Sequence, residues 1–215
     1  MRKVKHYTAY LFDMDGTLVA SEKLKGQALA KTCLLFGGKV SVDVYKDVMG
    51  QSWEQVCTHF FRNAEIDPGI KEFSSAFRPV YKELLLSELE TNPNVVDLLL
   101  TLKKNGKKTG VVSSAYFWMV EQVLTQLELI ELFDIVVTEE NVMQHKPHPE
   151  AYLLALEKLA LPASEVLIFE DSESGLTAAS EAGCDVVAFQ HEFNRNHDFS
   201  LANDVITNFN QFEKR

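Results

Sequence analysis

The chain has 215 residues, of which 46% are hydrophobic and 24% charged, with a formal net charge of −10. That is the make-up of an ordinary globular protein, long enough for one large domain or for one domain plus a small one. The acidic balance argues against a nucleic-acid partner. The longest apolar stretches, 95–102 and 166–169, fall far short of the ~18–20 residues of a membrane span. Cys33, Cys57 and Cys184 are far apart and odd in number, so they read as small buried residues and not as a disulfide or metal framework. Residues 1–6 are basic, but Asp13 and Asp15 interrupt any export-signal core, and a cytoplasmic location is the expectation. The one dense basic patch, 103–108, reads as a charged helix end entering a turn.

In chain order, Tyr7 to Phe12 reads as a buried strand. Ser21 to Phe36 carries apolar residues at helical spacing, with Ser21 placed to cap the start and Gly37 and Gly38 to stop it. Ser52 to Asn63 is a second helix with Trp53, Val56, Cys57, Phe60 and Phe61 on one face, and 68–89 holds one or two more. Beyond Pro93 the pattern changes. Helices over 95–104, 116–127, 149–159 and 174–182 alternate with short strands over 109–113, 135–137, 166–169 and 186–189. A last edge strand at Val205 and Ile206 and a terminal helix over 208–214 follow. This alternation predicts an α/β protein with a Rossmann-like parallel sheet, interrupted after its first strand by an all-helical insertion. The expected division is a core of 1–19 and 93–215 and a cap of 20–92.

In open parallel sheets, sites form at the carboxyl ends of the strands. Asp13, Met14, Asp15, Gly16 and Thr17 follow the first strand; Ser113 and Ser114 follow the second. His145, Lys146 and Pro147 come shortly after the third, and Glu170, Asp171 and Ser172 close the fourth. Two carboxylates spaced i, i+2 can share a site, one attacking phosphorus and the other moving a proton. A hard cation such as Mg²⁺, with oxygen ligands, relieves their repulsion, and Asp171 adds a third anion. Lys146 can neutralise the nucleophile and phosphate oxygens, and Ser113 can donate to the phosphate. Gly16 permits a tight turn that aims backbone N–H groups.

The segment 13–18 resembles the DxDGT motif of the haloacid dehalogenase-like superfamily. Residues 111–113 resemble its second motif, 145–150 its KPxPE motif, and 169–175 with Ala178, Ala179, Ala182 and Gly183 its fourth. All four stand in order over residues 8–190. The resemblance implies a Rossmann-like core with a helical cap between the first two motifs. It implies Asp13 as a nucleophile that forms an aspartyl-phosphate, and Asp15 as general acid/base with its backbone carbonyl on magnesium. It further implies that Asp171, with Glu170 beside it, completes the protein's share of the metal shell. On the same resemblance Ser113 and Lys146 are expected to hold the phosphoryl group, with Gly16, Thr17 and Ser114 as further phosphate-binding candidates.

The expected activity is Mg²⁺-dependent hydrolysis of a small phosphorylated metabolite, for instance a sugar phosphate, by a monomer. The carboxylate at Asp15 disfavours a dehalogenase proper and a phosphonate hydrolase. A β-phosphoglucomutase-like mutase is the alternative, since 21–25 resembles the stretch opening the cap in that branch. However, Ala20 and Lys25 replace its Asp and His, and Trp53 stands where a mutase places an Arg near a second phosphate. Residues 49–53 resemble the cap loop that faces the substrate, which on the phosphatase reading implies an apolar or ring moiety of the substrate against Trp53. A non-catalytic binding protein on the same fold is a more distant alternative, and the absence of GxxxxGK[ST] excludes a P-loop kinase. Ser113 is preferred to Ser114 for its place after the apolar run. Glu170 has a second reading, as a partner of the ligands. Lys25, Arg78 and Lys82 read as solvated cap positions, and His145 and His148 as solvated flanking residues. His6, His59, His191 and His197 share no metal-ligand spacing. Phe60, Phe61, Phe117, Trp118 and Met119 read as packing residues. Ser172 and Gly175 read as shaping the turn into the fourth helix.

Overall fold

The computed structural model describes residues 6–213. The basic start up to Lys5 and the Lys214 end of the expected terminal helix lie outside those residues. The chain forms two compact units. One comprises residues up to Val19, Thr91–His191 and the chain from Arg195; the other is Ala20–Glu90 with Glu192–Asn194.

The first unit is built on six parallel strands, β1 (Ala9–Phe12), β2 (Lys108–Val112), β3 (Ile135–Val137), β4 (Val166–Glu170), β5 (Asp185–Phe189) and β6 (Asp204–Ile206). Their order is β3-β2-β1-β4-β5-β6. The sheet grows outward from β1 on one side, then resumes at β4 on the other. The crevice at the carboxyl ends of β1 and β4 is therefore the topological switch point, where such sheets bind ligands. Phe12 is in register with Val111 on one side and Phe169 on the other. One step further along, Asp13, Val112 and Glu170 form the next row.

Both faces of the central strands are covered, which explains their continuous apolar sequence. Alternation puts Leu11 and Ile168 with Tyr152, Ala155, Leu176 and Ala179 in one core. Phe12 and Phe169 face the other way, stacked at 4.9 Å and packed around Phe209. Asp13 and Glu170 continue the alternation of Leu11 and Ile168. Among the helices flanking the sheet, the α4 (Val95–Lys104) bounds coincide with the sequence reading, and α5 (Phe117–Gln126), α6 (Glu150–Leu159) and α7 (Glu173–Glu181) agree within two residues. The packing expectation for Phe117 and Trp118 is corrected. Both are about half exposed, because α5 buries Val120, Val123 and Leu124 instead.

The second unit holds α1 (Ser21–Leu35), α2 (Trp53–Ala64) and α3 (Ile70–Glu88), with a 3-10 helix at Val42–Asp47 that the sequence pattern did not suggest. Ser21 is not a cap. It is the first helical residue, fully buried, and Ala20 takes the cap position without a side-chain bond. The stop is as expected: Gly37 adopts φ 84° and Gly38 N–H donates to Cys33. Ser52 caps α2 reciprocally with Gln55. The 68–89 stretch is one helix with Pro79 inside it. Trp53 donates from Nε1 to Ser74 Oγ at 2.7 Å and packs on Phe77, so its indole is engaged within this unit. Arg78 and Lys82 are exposed, and Lys25 Nζ lies 5.6 Å above the Tyr45 ring. Glu192 pairs with Lys46, and Phe193 packs on Tyr45, which ties the 192–194 segment to this unit. No helix among the described residues is long and apolar enough to cross a membrane.

Candidate active site

The row beyond Phe12 defines the site. Lys146 Nζ touches all three of its members, at 2.7 Å from Asp13 Oδ1, 2.9 Å from the Val112 carbonyl and 2.6 Å from Glu170 Oε1. The lysine comes from the loop between β3 and α6. Glu150, the first residue of α6, is bonded back to that loop: its carboxylate accepts from the backbone N–H groups of Met143 and Gln144, both at 2.9 Å. These bonds hold the Glu150 carboxyl below its ordinary range. The Lys146–Pro147 peptide is cis.

Glu170 is the centre of the network. Its Oε1 also accepts from Tyr152 Oη at 2.8 Å, while Oε2 accepts from Asp171 N at 3.0 Å and from the N and Oγ of Ser172 at 3.3 and 3.2 Å. A fully buried carboxylate requires such a complement of donors. Tyr152 is missed by sequence reading, since a tyrosine in a helix 18 residues from its partner has no local signature. Gly175 also departs from expectation. It lies inside α7 and not in the turn, and a Cβ there would stand 1.9–2.1 Å from the Glu170 carboxylate. Glycine is required so that the carboxylate can lie against the helix backbone. Ser172 does shape the turn, capping α7 by accepting from Gly175 N–H.

Asp13, Glu170 and Asp171 form a buried group with one ligand oxygen from each within 4.8 Å of the others. Burial raises the Asp13 carboxyl well above its ordinary value; Lys146 opposes that shift, while Glu170 and Asp171 reinforce it. Burial alone would pull the Lys146 ammonium down, but Asp13 and Glu170 outweigh it and hold the value up. Three acids thus stand together, two of them on one buried lysine, and they offer oxygen ligands only. This donor set suits a hard divalent cation. Asp13 and Asp171 are best placed to hold it, because the oxygens of Glu170 already accept from lysine, tyrosine and backbone.

The side chain of Asp15 stands outside this group, half-buried in the turn after β1. That turn is tight: Leu18 and Val19 N–H both donate to Met14 O, and Gly16 sits at φ 79°. The buried Asn92 holds it from behind, its Nδ2 donating to the Gly16 and Thr17 carbonyls at 2.8 Å each. Fixing the Gly16 carbonyl also fixes the direction of the Thr17 N–H, since the peptide is planar. Thr17 Oγ1 is buried without a hydrogen-bond partner. Asn92 too lacks any local signal, being 76 positions from the carbonyl it holds. Ser113 is buried at the end of β2, its Oγ accepting from Ala115 N–H at 3.1 Å, whereas Ser114 is exposed. His191, set aside for want of spacing, places Nε2 2.9 Å from Asp171 Oδ2.

Residues 10–189 match the model of the haloacid dehalogenase-like hydrolases. The chain belongs to that family. It is 31% identical over 175 residues to the phosphorylated carbohydrates phosphatase of Thermotoga maritima, with 81% of each chain covered. It is 30% identical over 181 residues to the validoxylamine A 7'-phosphate phosphatase of Streptomyces hygroscopicus subsp. limoneus, covering 82% of this chain and 83% of that one. The crystal structure of CbbY from Rhodobacter sphaeroides in complex with phosphate superposes with a TM-score of 0.82 at 26% identity, over 94% of this chain and 95% of that one. Within the family the chain falls in the phosphatase branch, as a phosphoric monoester hydrolase.

Proposed function

We propose that this protein is a Mg²⁺-dependent phosphatase acting on a small phosphorylated metabolite such as a sugar phosphate, with Asp13 as nucleophile. The observation that carries the reading is the contact of the buried Lys146 with both Asp13 and Glu170 at the switch point of the sheet, beside Asp171. When bound, Mg²⁺ neutralises the carboxylates and phosphate oxygens as a Lewis acid. Asp13 and Asp171, with the Asp15 carbonyl, would hold it. Asp13 attacks phosphorus and the ester P–O bond breaks, leaving an aspartyl-phosphate. The Asp15 carboxylic acid gives its proton to the departing alkoxide. Asp15, now ionised, takes a proton from water as that water attacks phosphorus. The Asp13–phosphorus bond breaks and inorganic phosphate leaves. Lys146, Ser113 and the Thr17 hydroxyl hold the phosphoryl oxygens with the Gly16 turn. Glu170 acts through Lys146 by fixing its ammonium. The relative from Thermotoga maritima supports the sugar-phosphate class. The mutase reading is less favoured, because Trp53 replaces the required cation and its indole is engaged with Ser74 and Phe77.

The test is hydrolysis of p-nitrophenyl phosphate with and without Mg²⁺, comparing wild type with Asp13→Asn. Metal-dependent turnover that disappears in the variant is the expected result. Turnover indifferent to Asp13 would remove the nucleophile assignment.

A further inference from the structure

We infer that His191 is a positioning residue for the metal ligand Asp171, an inference that rests on the metal-site reading above. Glu170 is in register with Ala188, so Asp171 stands level with Phe189, the last residue of β5. His191 comes two residues further on. The intervening Gln190 is tied to β6 through its N–H to the Ile206 carbonyl at 2.7 Å, which sets the direction of the chain where the imidazole departs. Nε2 then lies 2.9 Å from Asp171 Oδ2, with the two side chains 16% and 4% exposed. A contact so largely withdrawn from water is made at a defined angle and with little competition from solvent.

The imidazole touches Asp171 from outside the acidic group. Among the described residues, Asp13, Glu170 and Asp171 form the set whose ligand atoms lie mutually within 4.8 Å, and His191 joins no such set. It is therefore placed to orient a ligand without being one. The reason it matters is torsional. The χ2 well of an aspartate is broad, so an untethered carboxylate samples many planes. A donor on Oδ2 selects one plane and thereby aims the carboxylate toward Asp13. Partners of this kind are worth roughly 10–100-fold in metal affinity where they have been removed. The usual pair is a ligating histidine held by a carboxylate; here the order is reversed.

The experiment is titration of metal-stripped protein with Mn²⁺, followed by electron paramagnetic resonance without substrate. His191→Ala should weaken Mn²⁺ binding about 10-fold, and His191→Gln, whose amide can still donate to Asp171, should regain most of it. Electron spin echo modulation of wild type should show no directly bound imidazole nitrogen. If His191→Ala does not fold, His191→Met fills the space without a donor and takes its place. Affinity within about twofold of wild type in the donor-free variant would overturn the inference, as would a directly coupled nitrogen. If wild type itself binds no Mn²⁺, the metal-site reading fails and this inference with it. Wild-type binding with an indifferent His191 removes this inference alone.

Discussion

Gly175→Ala sets two effects against each other. In a helix interior, alanine is favoured over glycine by about 1 kcal/mol, so propensity alone predicts stabilisation. The new methyl, however, would stand 1.9 Å from Glu170 Oε1, 2.0 Å from Cδ and 2.1 Å from Oε2. An ordinary carbon–oxygen contact needs about 3.4 Å, so the carboxylate must retreat by about 1.3 Å or more. Its bonds of 2.6 Å to Lys146 and 2.8 Å to Tyr152 do not survive that displacement in good geometry. Overpacking costs about 1–3 kcal/mol, and each lost bond to a charged group about 1.5–3 kcal/mol, partly recovered by relaxation. A net loss of about 3 kcal/mol lowers the Tm of a chain this size by about 6–12 °C. Because Lys146 and Asp171 both depend on Glu170, kcat should fall about 100-fold, the usual cost of an ångström-scale misplacement. Circular dichroism melts and p-nitrophenyl phosphate turnover read the two effects. An unchanged or raised Tm with kcat within about threefold of wild type would refute the reasoning.

Tyr152→Phe removes one donor from Glu170 and leaves the others. It should cost about 1–2 kcal/mol in urea unfolding and well under 100-fold in kcat. Asn92→Leu keeps the volume but abandons the Gly16 and Thr17 carbonyls; a loss of about 2–5 kcal/mol and a raised KM are expected. Burial pushes the Cys33 thiol up to about 11 and the Cys57 thiol to about 12. At pH 8 their thiolate fractions are then about one part in a thousand and one in ten thousand, so native protein should leave both unlabelled by dithionitrobenzoate while urea exposes them. Because both values are raised, these thiols favour folding below pH 9.0, and that contribution disappears as pH rises toward 11 and 12. The raised Asp13 carboxyl follows the same sign. In chelator its contribution is present below the ordinary value of 3.8 and is lost as pH climbs through the raised folded value. Mg²⁺ at ~100 times its Kd should add about 2.7 kcal/mol and flatten that slope; identical urea midpoints and pH slopes in chelator and Mg²⁺ would contradict it.

Much of the architecture was legible because it is local. The 3.6-residue period of Val95–Lys104, the apolar run at Val166–Phe169 and the Asn105–Gly106 stop each act within a few residues of themselves. Strand alternation and parallel topology followed, and with them the sheet edge to which Asp13, Ser113, Lys146 and Asp171 are delivered. Local pattern failed where a nearby contact had a distant competitor. Ser21 has the composition of a cap but is buried inside the first turn of α1. Gly175 sits beside a turn, yet what demands a glycine there is a carboxylate five residues back. Trp118 has a core residue's chemistry on the uncovered side of α5.

By itself, the sequence determined the order of the main strands and helices and the family, which depend on periodicity and on residue types at fixed spacing; the division expected at 20–92 was redrawn by tertiary contacts, which put Thr91 and Asn92 with the sheet and Glu192–Asn194 with the helices. Tertiary structure decided that Glu170 holds Lys146, that Tyr152 holds Glu170, that Asn92 fixes the turn after β1 and that His191 meets Asp171. Those pairings join residues between 18 and 76 positions apart. Burial of a carboxylate creates a demand for donors, but which donors answer it depends on strand register and helix placement, and neither is written in the neighbouring residues.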